Sequence, residues 1–379
     1  MNEAKTKRVR YIKSLKKVPR LSDEEVEELE QVTKEYAFRS NDYYLGLIDW
    51  KDKNDPIRRI VIPCLEELTD GGNFDPSAER RNYVAKGVQH KYVPTALFLV
   101  SDMCGGFCRF CFRKRLFKHL ERETSLDVSD GLEYIRQHEE IDNVLLTGGD
   151  PLVLGTKRLD HILTEIRKIP HIKIIRIGTK VLAHNPYRVL DDPELVRVLS
   201  KHSLPDRKMY VITQFNHPRE LTPQAIKAVN MLREVQVMFS NQTPVIRGLN
   251  DNPDVLAELF NRLSYVGVPP YYLFQCRPVI GNRCYTVPLE EGYRIFEEAK
   301  KTMSGLAKRA KYVMSHATGK VEVVGIDNEL IHFRYHQARN EEKIGAFFSL
   351  HRDGEARWLD DYDGEELSTL EKTFGLAEN

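Results

Sequence analysis

From about residue 95 the chain alternates short apolar, β-rich runs with amphipathic helical stretches, and few architectures accept that pattern. Strands are expected at 96–100, 144–146, 173–177, 209–213, 235–239 and 271–274, with helices at 126–138, 158–168, 192–201, 224–233 and 255–266 between them. Such alternation makes parallel βαβ units with right-handed crossovers. Six in a row imply an α/β fold built as a partial (β/α)6 barrel; a doubly wound sheet is the competing architecture. Residues 1–92 read as an N-terminal helical extension, 93–304 as the barrel, and 305–379 as a small C-terminal α+β extension. Within the first, the stretch 22–34 opens on Ser22 and carboxylates, an N-cap signature. Within the last, strand-like runs fall at 320–324, 330–335 and 346–350.

The unusual residues fall just after the strands, where parallel α/β folds build their active sites. Cys104-Gly-Gly-Phe-Cys108-Arg-Phe-Cys111 follows the first, Thr147-Gly148-Gly149-Asp150-Pro151 the second, and Gly178-Thr179-Lys180 the third. Gln214-Phe-Asn216-His217-Pro218, Ser240-Asn241-Gln242 and Gln275-Cys276-Arg277 follow the other three. His217 in Asn-His-Pro reads as a turn residue.

Three of the six cysteines sit in C-x3-C-x2-C, and Cys64, Cys276 and Cys284 are scattered, which is no secreted disulfide framework. No apolar run reaches the about 18 residues a membrane span requires, and a cytoplasmic protein with no membrane partner is expected. Net charge is +1, so bulk charge does not favour nucleic acid. A basic arm (Lys5, Lys7, Arg8, Arg10, Lys13, Lys16, Lys17, Arg20) is expected to be a solvated, frayed terminus, although it permits an acidic macromolecular partner.

Three cysteine thiolates from one loop fill three positions of a [4Fe-4S] cluster and leave the fourth iron open. Zinc prefers a fourth Cys or His, which opposes a zinc site. S-adenosylmethionine (SAM) can chelate the open iron. The cysteine spacing, Phe110 before the last cysteine, and the Gly-Gly motif one strand later resemble the radical SAM superfamily. In that superfamily the second motif, here Thr147, Gly148, Gly149 and Asp150, lies against SAM.

A finer resemblance, to the lysine 2,3-aminomutase family, is carried in order by several stretches. They are Asp55-Pro-Ile-Arg58, Ser101–Cys104, Phe112-Arg113-Lys114-Arg115, Arg176-Ile-Gly-Thr-Lys180, Phe215-Asn-His-Pro218, Arg247-Gly-Leu-Asn-Asp251 and Tyr271–Cys276. The resemblance implies that SAM, the cluster and pyridoxal phosphate (PLP) act together to move an amino group between α and β carbons. It implies that Lys320, in His316-Ala-Thr-Gly-Lys320, holds PLP with Tyr92 against the ring, and that Arg113 binds the substrate carboxylate. Asn241 and Gln242 match a segment that approaches SAM. An electron donor such as flavodoxin or ferredoxin and a homo-oligomer are expected as partners.

The chain departs from the family where the substrate would be chosen. True lysine aminomutases carry an aspartate at the position of Arg277, so the charge offered to a side-chain ammonium is inverted. Free lysine is therefore a poor substrate, and a glutamate-like one is expected. Of two family arginines at the PLP phosphate, one is Lys91 and the other is lost at Thr95. The C-terminal zinc cysteines are missing, Asn252 standing at one of them, so no structural zinc is expected. Two alternatives stay open: a PLP-independent radical SAM enzyme acting on an amino acid or peptide, and a non-catalytic iron–sulfur electron carrier or sensor.

Overall fold

A computed structural model of the chain describes residues 9–69, 73–117, 127–362 and 364. A short antiparallel pair, β1 (Tyr11–Ile12) with β2 (Ser40–Asn41), ties the start of the described chain to the segment leading into the barrel. Then come β3 (Tyr83–Ala85), β4 (Val88–Tyr92), β5 (Thr95–Ser101), β6 (Asn143–Gly148), β7 (Ile174–Thr179), β8 (Met209–Thr213) and β9 (Met238–Val245). β10 (Pro270–Gln275), β11 (Lys311–Ser315), β12 (Gly319–Ile326), β13 (Leu330–Ala338) and β14 (Phe347–His351) complete the set. Strands β3 to β14 form one sheet of 12 in sequence order. Pairing is parallel from β5 to β11 and antiparallel at both ends, so the sheet runs unbroken across residues 92 and 304.

The sheet curls on itself. Lys320 on β12 lies 4.8 Å from the ring of Tyr92 on β4, although seven strands separate them in the sheet order. Ser77 Oγ, from the segment before β3, also donates to Ser315 O at the end of β11 (2.6 Å). The alternation along each strand shows what fills the two faces. Val144, Leu146, Ile175, Ile177 and Val211 face outward into one apolar core with Leu159, Ile162, Leu163, Ile166, Leu195, Leu199 and Val229 of the covering helices. Leu97, Leu145, Arg176 and Tyr210, which lie in register across β5 to β8 on the other face, are only half-buried. The close-packed core therefore lies between sheet and helices, and the inner face is left for a ligand.

Three differences from the sequence reading have physical causes. A seventh parallel strand, β11, follows the helix Leu289–Lys300, whereas residues after 304 were expected to leave the barrel. The strand expected at 235–239 is displaced to Met238–Val245, because Gln236 adopts a left-handed conformation (φ 63°) that closes the preceding helix. Ser240, Asn241 and Gln242 thus lie inside the strand rather than after it. The described part of the basic arm is not frayed. Ile12, Leu15 and Val18 are buried in a second apolar cluster with Leu29, Phe38, Tyr44 and Phe110, while Arg10, Lys13, Lys16, Lys17 and Arg20 stay exposed. Lys5, Lys7 and Arg8 lie outside the described residues.

The helix Asp23–Glu35 follows the capping box read from the sequence. Ser22 Oγ accepts from Glu25 N and Glu25 Oε2 accepts from Ser22 N, both at 3.2 Å. Asn252 caps the helix Pro253–Tyr265 through Asp254 N (2.9 Å). Among the described residues no helix is long and apolar enough to cross a membrane. Because Leu15 anchors the arm on the cluster that also holds Phe110 of the cysteine loop, Leu15→Ala should cost about 2–5 kcal/mol, seen as a lower denaturation midpoint.

Candidate active site

Cys104, Cys108 and Cys111 hang on the irregular loop after β5, and neighbouring backbone fixes that loop's path. Gly149 N donates to Ser101 O and Asp150 N to Met103 O, both at 2.6 Å. A Cβ on Gly148 (φ 124°) would stand 2.2 Å from Ser101 O, and one on Gly149 2.3 Å from Met103 O. Only glycine allows two main chains to come this close, which gives the Gly-Gly motif its structural reason. On the other side Arg39 Nε donates to Cys104 O (2.9 Å), Asn41 Nδ2 to Gly105 O (3.3 Å), and Phe107 N to Arg39 O (2.9 Å).

Burial pushes all three cluster-loop thiols up, that of Cys108 to about 12; neighbouring cysteine charges add to the effect at Cys104 and Cys108, while Arg113, Lys114 and Arg115 oppose it at Cys111. Three free thiolates would be unstable here, while three thiolates shared by a multivalent iron cluster would not. The soft all-sulfur donor set fits iron and sulfide.

The basic residues around the last cysteine are buried as well: Arg109, Arg113, Lys114 and Arg115 are 2%, 5%, 3% and 7% exposed. Two carboxylates from the N-terminal extension receive them. Glu67 accepts from Arg109 Nη2 (2.8 Å), Lys114 Nζ (3.0 Å) and Tyr285 OH (3.1 Å). Glu79 accepts from Arg113 Nε and Nη2 (each 3.1 Å), Arg115 Nη2 (2.6 Å) and Arg277 Nη1 (3.1 Å). Burial by itself would raise the Glu79 carboxyl, but Arg113, Arg277 and Arg115 outweigh it and hold it well below the usual carboxylate range. Arg277 also stacks on the Phe112 ring at 3.9 Å. Arg113 and Arg277, the two expected substrate ligands, are thus brought together on one carboxylate.

Lys320 bonds Gln337 Oε1 (2.7 Å) and lies between the rings of Tyr92 (4.8 Å) and Tyr272 (5.4 Å). Burial pushes its ammonium down to about 7, with Arg176, Lys91 and Arg277 adding to the effect. Lys91 is brought down to about 7 as well, by burial and by Arg277 and Arg339, while Glu79 acts against the shift. Its ammonium donates to His316 O, next to the loop that carries Lys320. An amine that loses its proton near pH 7, set between two aromatic rings and near other cations, fits a phosphorylated aldehyde cofactor: Lys320 for the aldehyde, Tyr92 and Tyr272 for the ring, Lys91 and Arg339 for the phosphate.

The polar residues expected to meet SAM divide into two groups. The Asp150 carboxylate accepts from Thr179 Oγ1 (2.7 Å) and from the N–H groups of Lys180 (2.7 Å), Leu152 (3.0 Å) and Val181 (3.1 Å). Burial pushes it up to about 6 against those donors. Asn241 Oδ1 accepts from Thr213 Oγ1 and Phe215 N (each 2.8 Å), while its Nδ2 donates to Phe215 O (3.1 Å) and Thr243 Oγ1 (2.7 Å). Both side chains are spent on loop geometry. Thr147 Oγ1 accepts from Arg113 Nη1 (3.4 Å), Gly148 and Gly149 lie beside the cysteine loop, and Gln242 lies on β9. His217 Nδ1 accepts from Arg219 N (3.2 Å), the turn role read from the sequence. Glu67, Glu79 and Tyr272 escaped the sequence reading. The first two lie in a segment without a motif, and Tyr272 reads as one more apolar strand residue.

The profile of the radical SAM superfamily matches residues 98–260. A protein of Aquifex aeolicus (strain VF5) named "Putative L-lysine 2,3-aminomutase" is 51% identical over 357 residues, covering 94% of this chain and 96% of that one. The "L-lysine 2,3-aminomutase" of Clostridium subterminale is 34% identical over 301 residues, 79% of this chain and 71% of that one. The "Glutamate 2,3-aminomutase" of Clostridioides difficile (strain 630) is 32% identical over 302 residues, 79% of this chain and 70% of that one.

Removing the Glu67 charge leaves Arg109 and Lys114 buried without their anion. Glu67→Gln should cost about 3–5 kcal/mol, measured as a lower unfolding temperature together with less iron retained per chain after anaerobic reconstitution.

Proposed function

Because this chain belongs to the radical SAM superfamily and, within it, to the lysine 2,3-aminomutase family, we propose that it is a PLP-dependent 2,3-aminomutase acting on an amino acid with a second carboxylate. The observation that carries the reading is Lys320, held between Tyr92 and Tyr272 with no carboxylate paired to it among the described residues. PLP, when bound, supplies an aldehyde that captures amines and a pyridine ring that spreads an unpaired electron, and SAM on the cluster supplies hydrogen abstraction.

This chain's residues do the rest. Lys320, its ammonium brought down to about 7, is neutral in a substantial fraction near pH 7, and the neutral amine is the form that can attack an aldehyde. Arg113, fixed by Glu79, presents a guanidinium to the α-carboxylate. Arg277 shares Glu79 through one nitrogen and offers its remaining donors to a side-chain carboxylate. A lysine ammonium in that place would face the Arg113 and Arg277 guanidiniums, which share Glu79, and this disfavours it electrostatically. The half-buried inner face, closed on one side by the contact of Tyr92 with Lys320, shields the reacting carbon from bulk water.

Borohydride reduction of the anaerobically reconstituted protein with PLP, followed by peptide mapping, should leave a pyridoxyl adduct on Lys320 and none in Lys320→Ala. The trapping rate should rise with pH through about 7 and then level off. A rate that keeps climbing toward the ordinary lysine value of 10.5 would contradict the assigned environment. An adduct elsewhere, or none while the cluster still cleaves SAM, would remove the amino-migration reading.

Substrate choice is tested at Arg277. Loss of a charge-assisted contact worth about 1.5–3 kcal/mol should raise KM for glutamate roughly 10- to 100-fold in Arg277→Asp, with a gain in lysine turnover. Efficient turnover of free lysine that is undiminished in Arg277→Asp would overturn the acidic-substrate reading.

A further inference from the structure

Outside the cluster loop, Cys64 and Cys284 lie with sulfurs 4.0 Å apart, although 220 residues separate them in sequence. Both are free and half-buried. Cys64 precedes the turn Leu65–Leu68; its N–H donates to Glu67 Oε1 (3.1 Å), and its sulfur lies 3.3 Å from Tyr285 OH. The Cys284 carbonyl accepts from Arg59 Nη2 (2.7 Å). The two thiols are chemically unequal. The hydrogen bond from Cys284 holds the Cys64 thiol below its ordinary value, with burial opposing, and the same contact together with burial pushes Cys284 up. One partner is thus suited to attack and the other to resolve.

Their place in the fold gives the pair a consequence. The turn after Cys64 carries Glu67, which grips Arg109 and Lys114 of the cysteine loop. The loop before Cys284 grips the same segment: Gly281 O accepts from Lys114 Nζ (2.6 Å), and Asn282 Nδ2 donates to Phe110 O (2.9 Å). A covalent link between the two cysteines would join both grips.

We propose that Cys64 and Cys284 form a redox-modification site that accepts small-molecule disulfides as oxidants and closes to an intramolecular disulfide, tightening the hold on the cluster loop. The Cys64 thiolate attacks one sulfur of the oxidant, giving a mixed disulfide and releasing one thiol. Cys284, giving up its proton, then attacks the Cys64 sulfur and releases the second thiol. Two electrons pass from the protein to the oxidant, which is reduced to two thiols. The sulfurs must approach from contact distance to about 2 Å, a change that side-chain rotation begins from thiols already touching.

The anaerobically reconstituted holoprotein is equilibrated with glutathione at stepped oxidised-to-reduced ratios, acid-quenched, alkylated with N-ethylmaleimide and mapped by mass spectrometry. A cross-linked peptide pair joining Cys64 to Cys284 should grow with the ratio and vanish on addition of dithiothreitol. In Cys284→Ser, Cys64 should carry glutathione instead. Iron release to a chelator should slow several-fold in the oxidised wild type and be insensitive to glutathione ratio in the Cys64→Ser/Cys284→Ser double variant. Recovery of both cysteines as separate adducts at the most oxidising ratio overturns the site. A disulfide that leaves iron release unchanged overturns its link to the cluster loop. Neither readout depends on aminomutase activity.

Discussion

The cysteine loop can stand where it does because two buried carboxylates pair with the basic run that accompanies it. Arg109, Arg113, Lys114 and Arg115 are all buried within seven residues. Each buried cation costs several kcal/mol unless an anion with good geometry offsets it. Glu67 and Glu79 meet that requirement by dividing the run between them, Glu67 taking Arg109 and Lys114 and Glu79 taking Arg113 and Arg115. Both come from the segment before the barrel, so that segment is part of the site's foundation and not an appendage. Arg39 and Asn41, also from this segment, add hydrogen bonds to the carbonyls of Cys104 and Gly105.

The same device recurs farther round the barrel. Glu220, fully buried, accepts from Lys180 Nζ (2.5 Å), Asn216 N (2.5 Å) and Tyr44 OH, so that one carboxylate ties the loops after β7 and β8 to the N-terminal extension. Asp150 and Asn241 do comparable work for the loops after β6 and β8. The polar side chains of the barrel therefore have two employments. Some hold loops by saturating their hydrogen bonds within the protein, and the rest, Gln242, Arg176 and Lys320 among them, face the hollow inner side.

That division marks what could be read from the sequence. Cys104, Cys108, Cys111, the Gly-Gly motif and the six-fold βα alternation are local patterns, and local patterns survive in a sequence. Lys320, Tyr92 and Arg277 became legible only through family resemblance, since a Gly-Lys pair or a lone arginine has no signature of its own. Glu67 and Glu79 were not legible by either route: a buried ion pair joins residues 42 and 34 positions apart, as in Arg109–Glu67 and Arg113–Glu79, with no periodicity to betray it. The displaced fifth barrel strand was missed for a related reason. Its polar Ser240, Asn241 and Gln242 look like a loop until the sheet gives them a lumen or a neighbouring loop to face.

The charge balance of the inner site indicates what it is made to receive. Among the described residues Glu79 is directly paired with Arg113, Arg115 and Arg277, while Arg176 and Lys91 lie close enough to Lys320 to repel its ammonium, and Lys91 and Lys320 are both brought down to about 7. An excess of positive charge in a partly dehydrated cavity opposes folding, and it persists only where something else offsets it. On the proposed function, a cofactor phosphate and the carboxylates of a substrate would each neutralise one of these cations on binding. Such ligands then stabilise the fold by mass action as well as entering the reaction. A substrate bearing an extra ammonium adds to the excess, and one bearing an extra carboxylate removes it. On the proposed function, Arg277 therefore acts on substrate preference through the same electrostatics that hold the cysteine loop in place.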